Sequence, residues 1–377
     1  MFDVLLSIAI SFTIAYMAIP AIITVAERKK LFDLPDERKI HKEHIPSLGG
    51  LGIFAGFMLA CLLAAHPGMA PEFQYFFAAA LVLFFLGLKD DILVISPIKK
   101  FIGQVIAAYL IVDKGGIQIK SMYGFFGVHE LPPMFSIILT YFTVIVIINS
   151  FNLIDGIDGL AGTLGLIAAA AFGFYFVKAD IIPYAVLAFA LVGSLGAFLI
   201  FNFHPAKIFM GDTGSMLIGV VNSILVIKFI ETAQSGETSF PVGAAPAIGF
   251  TVLLIPLMDT LRVFAIRIFK RRSPFSPDRN HIHHLMVDKG WTHITITCTL
   301  GAAGAVFVVA AYFSRQVGCT PIILSGIALF FAGIAALYYT RQPRLFVARA
   351  PEKPKEIPTG TATIVTLTKN IILEEKK

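Results

Sequence analysis

Long apolar runs separated by short polar stretches dominate this sequence, and they restrict the possible folds more than any other feature. A helix needs roughly 17–25 apolar residues to cross a bilayer, and many of the runs approach or reach that length. Inside lipid the backbone must satisfy its own hydrogen bonds, which favours helices. The chain has 57% hydrophobic and only 14% charged residues, whereas soluble domains have about 25% charged residues. The sequence therefore predicts an all-α polytopic membrane protein in a lipid bilayer.

The apolar runs predict about eleven transmembrane helices. The first run follows Met1-Phe2-Asp3 with no basic residues before it and no small-residue cleavage pattern, which indicates a retained helix rather than a signal peptide. We expect a membrane catalytic domain over 1–340 and a cytoplasmic tail over 341–377. The predicted spans lie near 2–26, 49–66, 73–88, 99–113, 133–150, 158–177, 181–201, 213–230, 241–267, 294–314 and 321–340.

Basic residues alternate between the loops, and this alternation predicts the topology. Lys and Arg number six in residues 27–48, three in 89–100, five in 268–293 and eight after Tyr339. The loops on the opposite side contain only Lys114, Lys120, Lys178 and Arg315. The positive-inside rule then places the amino terminus outside and the carboxyl terminus in the cytoplasm. The net charge of +6 is thus a topology signal and indicates no nucleic-acid partner. The alternating stretch 114–132 predicts a small outer β-hairpin.

The stretch 149–162 contains Asn152, Asp155 and Asp158 between two apolar runs. At about 100° per residue, positions three apart fall within one face of a helix. Carboxylate and amide oxygens there suit a metal-assisted phosphate site at a membrane surface. The alternative is an Asn/Asp/Gly turn that caps the next helix.

Two further candidates precede this stretch. Asp90 and Asp91 are paired carboxylates at a membrane boundary, where one acid can assist a metal while the other takes a proton. The alternative is an N-cap for a following helical turn. Lys42, in a basic loop before Gly49-Gly50, suits an anionic ligand. Its alternative is a positive-inside anchor.

Two more candidates follow it. In residues 202–215, Asp212 lies between glycines, as suits a magnesium ligand beside phosphate, and Phe209 could stack on a base or sugar. The alternative for Asp212 is a Gly-rich cap of the next helix.

In 279–284, three histidines within four residues could bind zinc, but no cysteine or carboxylate completes such a site. Imidazoles and guanidinium groups holding a pyrophosphate fit these surroundings better. Arg262 needs a buried partner, for which Asp259 at i−3 is the candidate. The predicted topology places Asp90 and Asp91 and the stretches 149–162, 202–215 and 279–284 on the cytoplasmic face. This convergence favours magnesium-dependent transfer of a phosphoryl-linked group.

Three motifs resemble one known family. Residues 152–160, 209–215 and 278–284 are similar, in order, to motifs of the polyprenyl-phosphate N-acetylhexosamine-1-phosphate transferases, the WecA, TagO and MraY group of glycosyltransferase family 4. The resemblance implies transfer of a sugar 1-phosphate, most simply N-acetylglucosamine 1-phosphate, from a UDP-sugar to undecaprenyl phosphate with release of UMP. It also implies a multi-pass protein of the bacterial inner membrane that primes cell-envelope polysaccharide synthesis, such as O-antigen of lipopolysaccharide or teichoic acid.

The resemblance also implies roles for individual residues. Asp212 and Asn152 match metal-contacting positions for Mg²⁺, with Mn²⁺ as an alternative, and Asp90 and Asp91 match acids that activate the lipid phosphate. The remaining matches are substrate-binding positions. Those around the nucleotide are Asp155, Asp158, Asn202 and Phe209; those near the pyrophosphate and sugar are Arg262, His281, His283 and His284; and Lys42 is a further substrate-binding position.

The sequence departs from the family's pattern at two places. Residues 92–95 are apolar where many members carry a further acid, so the larger acidic motif is absent. The histidine motif has the His-Ile-His-His form, which favours a plain amino-sugar donor over a muramyl-pentapeptide one. A homodimer is left open.

Two other classes of protein remain as alternatives. A transporter or channel for an anionic substrate would place polar groups at mid-bilayer and break its helices. An intramembrane aspartyl protease is suggested by Gly211-Asp212, although Phe209 occupies the first glycine position of that pattern. The three cysteines have no disulfide or zinc spacing.

Overall fold

The computed structural model describes residues 1–31, 45–64, 71–233, 238–271 and 280–339. These form thirteen α-helices and one two-stranded sheet, with a π-helical turn (Leu110–Lys114) after the fourth helix and a 3₁₀ turn (Arg315–Val317) before the last. The predicted tail and Lys42 lie outside the described residues. In chain order the elements are α1 (Phe2–Lys29), α2 (Gly49–Leu63), α3 (Phe73–Ile92), α4 (Pro97–Tyr109), β1 (Ser121–Phe125), β2 (Val128–Glu130), α5 (Pro133–Ile154), α6 (Leu160–Lys178), α7 (Ile182–Asn202), α8 (Gly211–Thr232), α9 (Ala245–Val252), α10 (Leu254–Phe269), α11 (Ile282–Val287), α12 (His293–Phe313) and α13 (Cys319–Tyr339).

Seven of the described helices are long and apolar enough to cross a membrane: α1, α5, α6, α7, α8, α12 and α13. The predicted all-α membrane architecture is therefore confirmed, whereas the predicted number of eleven spans is not. The single span predicted over 241–267 is wrong, because the chain breaks at Leu253 into α9 and α10. Pro256 explains the break: its ring would clash with the Val252 carbonyl in a continuous helix, but it is tolerated in the first turn of α10.

Helix α8 is the centre of the bundle. Its apolar window is 94% buried, and it packs against α2, α3, α5 and α6. Two glycines allow the close approach at its amino-terminal end. A Cβ on Gly50 would lie 2.3 Å from the Gly214 nitrogen, and one on Gly87 would lie 2.6 Å from Thr213 Cα. The polar start of α8 is therefore enclosed by its neighbours.

The predicted hairpin is present as β1 and β2, which pair antiparallel around a turn at Phe126 and Gly127. It is tied to the amino-terminal half of α5, because Ser136 Oγ donates to the Ile119 carbonyl and Ile119 N donates to Thr140 Oγ1. The carboxyl end of α5, by contrast, leads into the polar stretch 149–162. The hairpin and that stretch thus lie at opposite ends of α5.

Candidate active site

Asp91 caps the start of α8. Its carboxylate accepts hydrogen bonds from Asp212 N at 2.7 Å, from Thr213 N at 3.1 Å and from Thr213 Oγ1 at 2.5 Å. A carboxylate is favoured there by the exposed amides and by the positive end of the helix dipole. Gly211, at φ +71°, makes room, since a Cβ at this position would lie 2.7 Å from both Asp91 carboxylate oxygens. Asp91 thus caps a helix 120 residues away in sequence rather than the turn that follows it.

Asp90, Asp91, Asp155 and Asp212, with Asn152, form what we call the acidic group, and Lys100 connects two of these residues. Its ammonium lies 2.6 Å from Asp90 Oδ2 and 2.5 Å from Asp212 Oδ2. The other Asp90 oxygen accepts a hydrogen bond from Ile95 N at 2.8 Å, which fixes the loop between α3 and α4. Sequence reasoning missed Lys100, because it resembles the other lysines of the basic loops. The signal that could have found it is its position in the first turn of α4, next to Asp90 and Asp91.

Asn152 lies in the last turn of α5 and faces α8. Its side-chain amide donates to Ser215 Oγ at 3.1 Å. The prediction that Asn152, Asp155 and Asp158 share one helical face is wrong, because α5 ends at Ile154 and both aspartates lie in the following turn. That turn ends at Gly159, whose φ of +78° gives it the left-handed conformation at the N-cap of α6. The capping and ligand interpretations of this stretch are therefore compatible.

Asp155 lies in a crowded field of negative charge. Burial raises its pKa to about 8, together with the negative charges of Asp212, Asp91 and Asp158. A carboxyl group in such surroundings holds its proton unless a cation approaches. The protonation state of Asp155 therefore depends on whether a cation compensates the negative charge of the acidic group.

The acidic group has the donor chemistry of a magnesium site. Carboxylate and amide oxygens, from Asp90, Asp155, Asp212 and Asn152, are hard ligands that suit Mg²⁺ or Mn²⁺. The Lys100 ammonium already lies between two of these carboxylates, which shows that a cation is accommodated there. The residues present thus fit the divalent ion that the resemblance implies.

A second polar group is built around Asp259 of α10. Its carboxylate accepts hydrogen bonds from Arg262 Nη2 at 2.9 Å and from Ile282 N at 2.9 Å, and lies 2.8 Å from His281 Nδ1. The predicted i−3 pair of Arg262 with Asp259 is confirmed. Arg262 also donates to the Asn280 carbonyl. Asp259 thereby fixes both Arg262 and the start of α11, which carries the histidines.

Several buried donors of this group have no protein partner. Among the described residues, no hydrogen-bond partner faces Nε or Nη1 of Arg262, or either ring nitrogen of His283. Leaving such groups unsatisfied costs about 1–3 kcal/mol each. Burial lowers the pKa of His283 to about 3, as does neighbouring His284, so the ring is neutral. The two Arg262 N–H groups and the one N–H of the neutral His283 ring fit oxygens of an anionic ligand.

His283 also connects the second polar group to the acidic group. Its ring lies against the turn that follows Asp155: a Cβ on Gly156 would lie 2.2 Å from His283 Nε2. Only glycine permits this approach. The partly buried His284 ring is 4.3 Å from that of His283, between ring centres. His283 therefore lies beside the turn that carries Asp155.

A cavity of about 130 Å³ lies beside both groups. Lys100, Asn152 and Arg267 line its polar part, whereas apolar side chains including Phe101 and Phe264 line the rest. Arg267 is only 3% exposed, and its Nη2 lies 3.5 Å from His281 Nε2. Sequence reasoning missed Arg267. The signal that could have found it is its position on the same helix as Arg262, five residues later. The cavity combines a cationic part with an apolar wall.

The residues predicted to surround the nucleotide brace the adjoining loops. Asn202 Oδ1 accepts a hydrogen bond from Gly159 N, and its amide donates to the Ile208 carbonyl, both at 2.9 Å. Asp158 is 2% exposed and lies 2.6 Å from His204 Nδ1. Phe209 is held by backbone hydrogen bonds to Pro46 and Gly49. The structure thus brings all the predicted site residues it describes to one end of the helices.

Comparison with known proteins identifies the family of the chain. A family model described as "Glycosyl transferase family 4" matches residues 73–230. The decaprenyl-phosphate N-acetylglucosaminephosphotransferase of Mycobacterium leprae is 32% identical over 354 residues, covering 84% of this chain and 86% of that protein. The undecaprenyl-phosphate alpha-N-acetylglucosaminyl 1-phosphate transferases of Yersinia pestis and Escherichia coli K12 are 34% and 33% identical, covering 74% and 82% of this chain and 76% and 84% of those proteins. The chain therefore belongs to glycosyl transferase family 4, in the group of polyprenyl-phosphate N-acetylglucosamine-phosphate transferases.

Proposed function

We propose that the chain transfers N-acetylglucosamine 1-phosphate from UDP-N-acetylglucosamine to undecaprenyl phosphate, releasing UMP. The observation that carries this proposal is that His283, in a polar group whose buried Arg and His nitrogens have no protein partner, packs against the turn that carries Asp155 of the oxygen-rich acidic group, which fits Mg²⁺. A transferase acting on a pyrophosphate needs both, because charge on the phosphates must be neutralised and the reacting groups held. The names of the relatives supply the donor sugar and the polyprenyl acceptor.

The two substrates enter from different sides. The cavity lined by Lys100, Arg267 and Phe101 offers a charged part for the lipid phosphate and an apolar wall for its first isoprene units. Arg262 offers its unpartnered Nε and Nη1 groups, and the neutral His283 ring its one N–H, to the donor pyrophosphate. Charge-assisted hydrogen bonds of this kind are stronger than neutral ones, and the planar guanidinium of Arg262 gives them a fixed direction. The two phosphates therefore meet next to the acidic group.

In the reaction, a lipid phosphate oxygen attacks the β-phosphorus of the UDP-sugar. The new bond joins that oxygen to the β-phosphorus, the bond from the β-phosphorus to the bridging oxygen breaks, and UMP leaves with that bond's electron pair. Mg²⁺ held by Asp155, Asp212 and Asn152 would neutralise phosphate charge. Both Asp91 oxygens are engaged by the start of α8, so Asp91 positions that helix. Asp90 Oδ2 is instead held by the Lys100 side chain, which can turn towards the lipid phosphate, so Asp90 is the base that accepts a proton from a monoprotonated lipid phosphate.

The location follows from the same proposal. UDP-sugars are cytoplasmic compounds, and the basic loops of the sequence flank the acidic group. The positive-inside rule then puts the site on the cytoplasmic face of a bacterial inner membrane, with the hairpin outside. The product would prime a cell-envelope polysaccharide.

One assay tests the reaction and its metal. Purified protein is incubated with radiolabelled UDP-N-acetylglucosamine, undecaprenyl phosphate and Mg²⁺, and the labelled lipid is measured with and without tunicamycin and EDTA. We expect labelled lipid that disappears with either reagent and in Asp212→Ala. If Asp212→Ala kept full magnesium-dependent transfer, the metal assignment would be wrong.

The break between α9 and α10 is the one observation that favours the transporter alternative, since transporters use broken helices. The carboxylates of the acidic group, however, lie at or just beyond the ends of α3, α5 and α8. Flux of the sugar nucleotide into proteoliposomes without formation of labelled lipid would support transport and contradict the transferase.

A further inference from the structure

Asp158, His204 and His293 form a cluster separate from the acidic group. Among the described residues, one ligand atom from each of these three lies within 4.8 Å of the other two. They come from three different segments: the turn after α5, the loop after α7 and the first residue of α12. Of these three residues, only Asp158 was predicted to lie near the nucleotide. The two histidines were assigned no role.

The distances are close to those of a metal site. Asp158 Oδ2 lies 2.6 Å from His204 Nδ1 and 3.3 Å from His293 Nδ1. Ligands bound tetrahedrally to zinc at about 2.0–2.2 Å lie roughly 3.3 Å apart. The His293 distance already has this value. His204 would need to withdraw by less than about 1 Å, and its side chain is 40% exposed, so it has room to move.

Two of the three ligands are held rigidly. Thr297 Oγ1 donates to the Asp158 carbonyl at 2.9 Å, and the Asp158 side chain has no exposed surface. His293 is 7% exposed and begins α12, directly after Thr292, whose side chain caps that helix. Such supporting contacts orient ligands before a metal binds. The exposed His204 side leaves a coordination position open to solvent, as in three-ligand zinc sites.

The ligand types select the metal. Two imidazoles and one carboxylate favour late first-row ions such as Zn²⁺ and Co²⁺, whereas oxygen-only ligands favour Mg²⁺. We propose that Asp158, His204 and His293 form an open three-ligand site for Zn²⁺ or a related late first-row divalent ion, distinct from the oxygen-rich acidic group. The two sites would then bind different metal ions, because their ligands differ.

An ion at this site has a consequence for the donor substrate. Asp158 is followed by Gly159, whose amide is bound by Asn202, and both Asp158 and Asn202 are predicted nucleotide positions. Zn²⁺ there would occupy part of the nucleotide side and weaken binding of the UDP-sugar. This consequence rests on the proposed function, whereas metal binding itself does not.

The binding test uses purified full-length protein without a polyhistidine tag, titrated with Co²⁺ as an optical probe. We expect visible absorption bands at one equivalent, displaced by Zn²⁺ but not by excess Mg²⁺. His204→Ala should weaken Co²⁺ binding at least about tenfold. His129→Ala, on the outer hairpin, and His284→Ala, in the other histidine cluster, should bind Co²⁺ as the wild type does. Unchanged binding in His204→Ala, or loss in His284→Ala, would overturn the site.

The functional arm measures transfer with Zn²⁺ added at fixed excess Mg²⁺. We expect inhibition that rising UDP-N-acetylglucosamine relieves and that His204→Ala shifts to at least about tenfold higher Zn²⁺. Co²⁺ binding without any inhibition would retain the site and refute its link to the donor. A chain with no transfer activity at all would refute the proposed function, and the optical titration would still decide whether the site exists.

Discussion

Replacing Asp155 by asparagine should stabilise the metal-free protein while removing its activity. Burial and the charges of Asp212, Asp91 and Asp158 raise the Asp155 pKa to about 8. The folded state therefore holds a proton that the unfolded state releases at lower pH. By linkage, the wild-type chain loses stability as the pH rises from the ordinary carboxyl range to about 8. Asparagine has nearly the same shape and never ionises, so the variant escapes this loss.

The size of the effect follows from the number of protons. One proton changes the free energy of unfolding by at most about 1.4 kcal/mol per pH unit, or about 4 kcal/mol between about pH 5 and pH 8. The Asp155 side chain is partly exposed, so solvent screening reduces this to about 2 kcal/mol. For a chain of this length, about 2 kcal/mol corresponds to roughly 2.5 °C in thermal midpoint.

The assay is thermal unfolding of detergent-solubilised protein in EDTA, followed by the fluorescence of the single tryptophan, Trp291. We expect the midpoint of Asp155→Asn to exceed that of the wild type by a margin that widens from about pH 5 to about pH 8 and then levels off. Asp180→Asn is the matched control, because this exposed residue has a φ of +58° that both Asp and Asn adopt. Excess Mg²⁺ should stabilise the wild type more than Asp155→Asn and so narrow the margin.

Two results would refute the reasoning. If the difference in thermal midpoint between Asp155→Asn and the wild type did not change with pH, ionisation of the Asp155 carboxyl group would not be its cause. Equal stabilisation of both proteins by Mg²⁺ would show that Asp155 lies away from the ion. In either case the acidic group would need a different assignment.

Three further predictions use activity and stability together. Lys100→Ala should lower kcat/KM at least about a hundredfold, because it removes the cation between two carboxylates, whereas Lys99→Ala, its exposed neighbour, should stay within about twofold in the transfer assay. Gly211→Ala should lower the thermal midpoint by a few degrees, since a φ of +71° costs a non-glycine residue about 1–3 kcal/mol and the new methyl group collides with Asp91; a midpoint equal to the wild type would contradict this. Gln104 and Asn149 exchange hydrogen bonds between α4 and α5, and a double-mutant cycle with leucine should give a coupling of about 0.6–1.7 kcal/mol in stability, with zero coupling counting against the pair.

Local patterns predicted most of the helices and the order of the site segments. The run predicted at 181–201 is α7 (Ile182–Asn202), and that at 213–230 is α8 (Gly211–Thr232). Asp90, Asp91 and Asp212 were recognised because acids at the ends of apolar runs are costly without a purpose. The helix at 241–267 failed for a local reason as well: apolarity continues through Pro256, and hydropathy does not register the missing amide.

The partners of the site residues could not be read from their own neighbourhoods. Nothing near Asp91 indicates that it caps α8, and nothing near Lys100 indicates that it lies between Asp90 and Asp212. These pairs are about a hundred residues apart in sequence, apart from Lys100 with Asp90. Which side chains meet depends on how closely the helices approach, and that is set by their packing surfaces.

By itself, the sequence determined that this chain is a helical membrane protein with its polar chemistry in a few short segments, because bilayer length and backbone hydrogen bonding act on each run separately. Only the tertiary structure decided how those segments combine. Glycines at positions 50, 87 and 156 let backbone and ring approach within a few ångströms. That approach brings acids, Lys100 and unpartnered Arg and His donors together, and it leaves Asp158 between two imidazoles.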